Sequence, residues 1–137
     1  MKNKLPILLS VLTLVLVSLA CSALSQELSL ANLRMALDED GVNPTSTFSS
    51  SDVFYAVADL KNAPAGTAVV AQWIAVDVAD TEQGLNFQEQ TLDITEESFS
   101  GTIYFQLSND EGWPAGQYKV ELYLNGTLSQ SVEFTVQ

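Results

Sequence analysis

The C-terminal stretch of this sequence, residues 116–136, constrains the fold more than any other part of the chain. Apolar side chains recur there at alternate positions on both sides of a short polar segment: Tyr118, Val120, Leu122 and Leu124 before it, and Leu128, Val132, Phe134 and Val136 after it. A two-residue period is that of a β-strand with one buried face. The polar segment at residues 125–127, Asn-Gly-Thr, has the composition of a tight turn. The stretch therefore predicts a β-hairpin.

The parity of the two strands sets a condition on the turn of this hairpin. Residues that face each other in an antiparallel pair point to the same side of the sheet, so pairing even positions with even positions requires a loop with an odd number of residues. A two-residue Asn-Gly turn does not meet this condition. We predict a three-residue loop with Leu124 and Asn125 central to a type I turn. Gly126 is then left-handed in a bulge that lets Tyr123 pair with Thr127.

Five earlier segments also carry strand patterns. Residues 28–37 favour a strand whose parity slips between Leu30 and Leu33, as at a bulge, with helix as the competing interpretation because good helix formers are present. The other four strands are predicted at residues 52–60, 67–78, 85–94 and 99–108. Residues 62–66 and 80–84 have turn compositions. Apolar residues occupy both parities in 52–60 and 67–78, so the pattern leaves their inner faces open.

Seven short strands separated by turn signals predict an all-β fold, a single seven-stranded antiparallel β-sandwich over residues 28–137. Residues 116–120, Gly-Gln-Tyr-Lys-Val, resemble the opening of the sixth strand in immunoglobulin-like domains, with Val120 in the place of that family's cysteine. Trp73 stands on the third strand, as that family's core tryptophan does. The resemblance implies an immunoglobulin-like sandwich held together by packing alone. It also implies that Tyr118 is a tyrosine corner, its hydroxyl bonded to backbone in the loop of residues 109–115.

The N-terminus has the layout of a helical signal peptide. Lys2 and Lys4 form a short basic region, and residues 5–19 are apolar apart from three hydroxyl side chains. The apolar run is short for a membrane span and matches a secretory signal. We therefore assign residues 1–20 to a signal peptide that is removed.

The end of this signal, residues 18–21 with the sequence Ser-Leu-Ala-Cys, resembles the lipobox of bacterial lipoproteins. That resemblance implies cleavage just before Cys21 and acylation of its sulfur, which attaches the protein to a bacterial lipid bilayer. Ser18 departs from the leucine most often found there. The alternative is an ordinary signal peptide, cut near residues 20–23, with an incidental cysteine. Cys21 is the one cysteine of the chain, so it has no partner for an intramolecular disulfide. Residues 21–27 form the lipidated cysteine and a short tether.

The charge of the mature chain is strongly negative. Removal of residues 1–20 changes the formal charge from −12 to −14, because three cations remain against 17 acids. Such a surface repels nucleic acid and anionic lipid head groups. We expect no nucleic-acid partner.

The usual signatures of catalysis and metal binding are absent from the sequence. There is no histidine, which removes the commonest acid-base group and metal ligand. The acidic pairs at residues 96–97 and 110–111 are neighbours in loops or strands, where adjacent carboxylates do not share a face. Residues 38–45 carry enough oxygen ligands to suggest calcium, but Gly41 and Ser49 do not fit the spacing of an EF-hand loop, which favours a solvated turn. We predict a protein that is not an enzyme and that holds no cofactor or metal.

Three non-catalytic roles remain. The leading hypothesis is a binding or structural module that is exported and anchored in the bacterial cell envelope, with a protein or glycan partner at the surface. Its contact point would be Trp113 and Pro114, unless Trp113 folds back to plug the end of the sandwich. The outer face with Val70, Ile74 and Val76, beside Tyr123, is a second candidate patch, unless a covering loop or strand buries it.

The other two roles rest on the same aromatic residues. Residues 113–118 are similar to the approach to the late strands in small β-sandwich proteinase inhibitors, which implies an inhibitor. A carbohydrate-binding module would use Trp113, Tyr104 and Tyr123 as stacking platforms.

Overall fold

The computed structural model describes residues 26–137, and that part of the chain consists of strands and turns without a helix. The strands are β1 (Ser29–Ala36), β2 (Thr47–Phe48), β3 (Phe54–Pro64), β4 (Ala68–Val78), β5 (Leu85–Asp93), β6 (Ser98–Leu107), β7 (Gly116–Leu124) and β8 (Thr127–Val136). They form a three-stranded sheet in the order β1-β3-β6 and a five-stranded sheet in the order β2-β8-β7-β4-β5. The predicted all-β, two-sheet architecture is confirmed.

The predicted number of strands, seven, is too low by one. Strand β2 lies between the first two predicted strands, where no strand is predicted, and it pairs with β8 in parallel, so the sandwich is not antiparallel throughout. A two-residue strand is too short to show an alternating pattern. Its Phe48 is nevertheless buried and packs edge-on against Phe54 and Phe134.

The core lies between the inner faces of the two sheets. Phe54 from β3 meets Trp73 from β4 and Phe134 from β8, with ring centroids 6.4 and 4.9 Å away. Tyr118 of β7 stacks on Phe134 at 5.5 Å. Trp73 is completely buried, and its indole nitrogen donates a hydrogen bond to Gln90 Oε1 at 2.9 Å. An aromatic cluster of this size supplies much of the apolar area that a sandwich without disulfides needs.

The structure identifies the inner faces of β3 and β4. On β3 the inner set is Phe54, Ala56, Ala58 and Leu60, and on β4 it is Val69, Ala71, Trp73 and Ala75. Val57 on the outer face of β3 is equally buried, because Arg34 and Tyr104 flank it on the neighbouring strands. That cover is why residues of both parities on β3 are apolar.

The hairpin prediction was right about the left-handed glycine and wrong about the turn. Asn125 and Gly126 have φ angles of 49° and 85°, and Leu124 is opposite Thr127, so the turn is a two-residue type I′ turn. The extra residue is Ser129, because Leu122 pairs with Gln130 and Tyr123 pairs with Leu128. The parity is thus corrected by a bulge inside β8. Leu128, predicted to face inward, is 51% exposed.

Two further irregularities lie in β1 and β3. The predicted parity slip in β1 is confirmed as a register shift between Ala31 and Arg34, with Asn32 left-handed, and the helical alternative for this segment is wrong. Strand β3 continues through the predicted turn of residues 62–66 as far as Pro64. Asn62 is left-handed there, and its N–H donates to Ser100 Oγ at 2.9 Å. Because Asn62 lies in a bulge, β3 pairs with β6 again at Ala63, and the turn follows Pro64.

The acidic segment of residues 38–43 is a self-contained turn held to the outer face of the three-stranded sheet. Arg34 donates from Nε to Gly41 O at 3.2 Å and from a terminal nitrogen to Asp40 O at 3.3 Å. The Asp38 carboxylate accepts the backbone N–H groups of Val42 and Asn43 and the Asn43 side-chain amide. Partial desolvation acts to raise the pKa of Asp38, but these hydrogen bonds outweigh it and the pKa lies below its ordinary value. The Asp38 carboxylate, one of the groups that suggested calcium, is therefore engaged within the turn.

Candidate functional site

The predicted tether of residues 21–27 would enter the sandwich at one defined end. Cys21 lies outside the described residues, but the backbone carbonyl of Glu27 accepts a hydrogen bond from Asn62 Nδ2 at 2.9 Å, and Ser29 pairs with Lys61. The β3–β4 turn and the β7–β8 turn lie at this same end, where Asn125 N donates to Ala68 O at 2.9 Å. We call this the tether end. Within residues 26–137, no helix has both the length and the apolar character to span a membrane.

The loop with Trp113 lies at the opposite end of the sandwich and is packed down. The Trp113 backbone N–H donates to Ser50 O at 2.8 Å, and its indole N–H donates to Asp52 O at 3.1 Å. Its ring stacks on Phe54 with centroids 4.5 Å apart and planes inclined by 21°. Trp113 therefore plugs the end of the core, as the second of its two interpretations held, and is not a projecting apolar tip.

Pro114 takes part in a hydrogen bond that the sequence predicted. The Tyr118 hydroxyl donates to Pro114 O at 2.7 Å, inside the loop expected to receive it. Burial raises the pKa of Tyr118, which keeps its hydroxyl protonated as a donor. Beside Trp113 and Tyr118 is a small cavity of about 170 Å³, also lined by Phe87 and Val78. Most of its lining residues belong to the core or pack against it, and we do not treat it as a separate site.

The three aromatic residues proposed as stacking platforms are not brought together. Tyr104 lies on the outer face of the three-stranded sheet, 6.2 Å from Tyr55 between ring centroids, and the charge of Glu39 raises its pKa. Tyr123 lies on the five-stranded sheet, opposite Val70, and donates to Glu121 Oε2 at 3.0 Å. Trp113 closes one end of the sandwich. A single carbohydrate platform built from all three is therefore not formed.

The second candidate patch, Val70, Ile74 and Val76, is interrupted by charged neighbours. Ile74 is only 7% exposed and lies between Lys119 and Asn86 on the adjacent strands. Lys119 Nζ is 2.8 Å from Glu121 Oε1, and this hydrogen-bonded pair raises the pKa of Lys119 and lowers that of Glu121. On this outer face of the five-stranded sheet, polar and charged side chains therefore flank the apolar residues and cover Ile74.

One concave feature of the described residues was not predicted. It is a groove of about 660 Å³ that runs between the free edges of β5 and β6, where the two sheets part. We call it the β5–β6 groove. Its walls come from residues 90–96 on one side and from Phe99 and residues 102–106 on the other. A groove between strands that are not hydrogen-bonded to each other leaves no periodic signal in the sequence, so pattern analysis could not find it.

Metal binding has no support in the geometry of residues 26–137, where no group of three or more histidine, cysteine or acidic side chains is placed to hold an ion.

Comparisons with known proteins identify no family. No protein-family model matches the chain, and no curated protein matches it by sequence. Among solved structures, a Pseudomonas fluorescens alkylpurine DNA glycosylase bound to DNA containing an abasic site analogue is similar, with a TM-score of 0.50 and 16% identity. A Listeria innocua β-glucosidase in complex with isofagomine is similar to the same degree, with a TM-score of 0.50 and 14% identity.

These likenesses concern the fold alone. The matches cover 85% and 80% of this chain, but only 32% of the glycosylase chain and 16% of the glucosidase chain. At such identity the enzymes' activities do not carry over to this chain.

Proposed function

We propose that this protein is a non-catalytic lipoprotein of the bacterial cell envelope, exported and anchored through acylated Cys21, with its β-sandwich acting as a binding or structural module. The observation that carries the proposal is the signal and lipobox pattern directly before the sandwich. Only residues 22–28 separate Cys21 from β1. Fully extended, these seven residues reach about 24 Å. The tether end would then face the bilayer, and the Trp113 loop would face away from it.

The sandwich is proposed to be immunoglobulin-like. Three features support this: the division of the strands into sheets of three and five, Trp73 buried on β4, and the hydrogen bond from the Tyr118 hydroxyl to Pro114 O. The last two are the positions at which the sequence resembles that family. By this analogy Tyr118 is a tyrosine corner that fixes the loop ahead of β7.

A binding role suits the charge and the surface. The 17 acids keep an exported domain soluble and disfavour nucleic acid as a partner. A protein partner at the cell surface fits the exposed edges of the sandwich better than a glycan, because the candidate aromatic platforms lie on different faces.

Replacing Cys21 with serine tests the anchor. The hydroxyl cannot take the thioether-linked lipid, so we expect the protein to move from the membrane fraction to the soluble fraction, measured by immunoblotting after ultracentrifugation. Two acyl chains suffice for stable attachment, and their loss should shift nearly all of the protein. Ser22→Ala, one residue away, is the matched control and should stay with the membrane. Unchanged fractionation of Cys21→Ser would remove the anchor from the account.

A further inference from the structure

The two lateral sides of the sandwich, where the edge strands of the two sheets lie next to each other, differ in how the chain covers the core. On one side, the chain leaves β1 in the three-stranded sheet, forms a bridge between Ala36 and Pro44, and adds β2 to the five-stranded sheet. Thr135 N donates to Ser46 O at 2.9 Å, and Gln137 N donates to Phe48 O at 2.9 Å. The chain therefore crosses from one sheet to the other along this side and covers the core.

The other side is open along most of its length. There the sheets end in β5 and β6, which are joined only by the connection of residues 94–97 at the tether end. Further along, the side chain of Gln90 on β5 links the two strands, since its Nε2 donates a hydrogen bond to Gln106 O on β6 at 3.0 Å. Its Oε1 accepts a hydrogen bond from the Trp73 indole. The β5–β6 groove is the space between this link and the connection.

Within residues 26–137, no other strand pairs with the backbone groups that β6 directs toward this groove. The bond from Gln90 shows that the Gln106 carbonyl points away from β3 and toward the groove. The N–H and C=O of one strand residue point to the same side, and the direction alternates along the strand. Tyr104 and Thr102 therefore direct their backbone groups to the same free edge. From Thr102 to Gln106 the edge is about 13 Å long, enough for an extended segment of four or five residues.

The charged side chains that line the groove are all acidic. Leu92, Ile94, Phe99 and Ile103 supply its apolar surface, and Asp93 and Glu96 stand at the end near the connection. No lysine or arginine lines it. Free edges are usually protected by lysine, proline or a bulge, and β6 carries neither lysine nor proline, and its one register shift lies toward the tether end, outside residues 102–106.

We propose that the β5–β6 groove binds an extended, basic segment of a partner protein, which adds to the free edge of β6 as a further strand. Backbone hydrogen bonds to Thr102 and Tyr104 would hold the segment, its apolar side chains would enter the groove, and its lysine or arginine side chains would meet Asp93 and Glu96. A second copy of this chain fits poorly, since each mature copy carries a charge of −14. The inference rests on the proposed binding function and assigns its surface.

A synthetic peptide tests strand addition without altering the protein. A capped, fluorescent hexapeptide of alternating lysine and valine is titrated with the full chain in neutral detergent, and binding is followed by fluorescence anisotropy. The control peptide has the same side chains but N-methyl groups on alternate amides, which removes the donors on one edge. We expect at least tenfold weaker binding of the methylated peptide. Equal binding of the two peptides, or no binding of either, would overturn the proposal.

Two double variants locate the site. Asp93→Asn with Glu96→Gln removes two charges at the groove and should weaken binding of the unmodified peptide about tenfold. Asp110→Asn with Glu111→Gln removes two charges from the loop at the opposite end and should leave the affinity within about twofold. Equal losses would mean unspecific attraction to an acidic protein. Concentration-dependent dimers that exclude the peptide would make a second copy the occupant. Because the assay uses detergent-solubilised chain, it reads the groove independently of the outcome for Cys21→Ser.

Discussion

Trp73→Ala should lower the free energy of unfolding by about 3–5 kcal/mol, the usual cost of removing a fully buried tryptophan from a core. Trp73 is completely buried between the sheets and contacts Phe54 and Phe134. Its loss would leave a large cavity and would also deprive Gln90 of the donor that orients it toward β6. Urea unfolding followed by circular dichroism measures the change. Since domains are stable by only about 5–15 kcal/mol, this variant should be close to the limit of folding.

The matched control for this variant is Tyr104→Ala. Tyr104 is also a large aromatic residue on a strand, but it is 44% exposed on an outer face. Its replacement should change the unfolding free energy by about 0.5–1 kcal/mol. Similar losses for the two variants would mean that the core does not lie between the faces described.

Gly116→Ala should lower the unfolding free energy by about 2–4 kcal/mol, combining backbone strain with steric overlap. Gly116 begins β7 with a φ of 151°, and a Cβ built there would be 2.5 Å from the backbone carbonyl of Asp77 and 3.0 Å from Val78 Cα. A backbone neighbour cannot rotate away as a side chain can. The bulge at Val76, next to Asp77, brings the strands into this close approach.

Gly126→Ala is the matched control for the overlap. Gly126 also has a positive φ, 85°, but nothing lies within 4 Å of the position its Cβ would take. It should therefore lose only the conformational part, about 1–2 kcal/mol. Urea unfolding compares both variants with the unaltered chain. If Gly116→Ala proves no worse than Gly126→Ala, the tight contact between β4 and β7 is not present.

The fold could be predicted from the sequence to the extent that each strand buries one face. Strands β4, β5 and β6 begin and end within one residue of the predicted boundaries. The two-residue period does not identify the inner face where side chains of both parities are buried, as at Val57. It also does not reveal a strand of two residues, such as Thr47–Phe48.

For the hairpin, the parity rule correctly predicted one extra residue, but that residue lies in β8 and not in the loop. Parity did require one extra residue between the two strands, and the type I turn put it in the loop. The chain instead uses the Asn-Gly turn that its sequence favours and accommodates the extra residue as Ser129. Parity alone does not distinguish a bulge in the loop from one in a strand.

The candidate site was predicted least well. The Tyr118 hydrogen bond followed from a motif confined to neighbouring residues, so sequence was sufficient. The packing of Trp113 depends on Ser50, Asp52 and Phe54, which lie some 60 residues away along the chain. The β5–β6 groove depends on the separation of two sheet edges, a property of the assembled sandwich that no single segment encodes.

The mass of the intact protein purified from membranes tests the central claim, that this sandwich is held at a bilayer through Cys21. We expect a chain that begins at Cys21 and carries the added mass of a diacylglyceryl group, with or without a further N-terminal acyl chain. Alkaline hydrolysis should remove the ester-linked chains and shift the mass accordingly. A chain that begins elsewhere, or one that begins at Cys21 with a free thiol, would show that the protein is not anchored through Cys21.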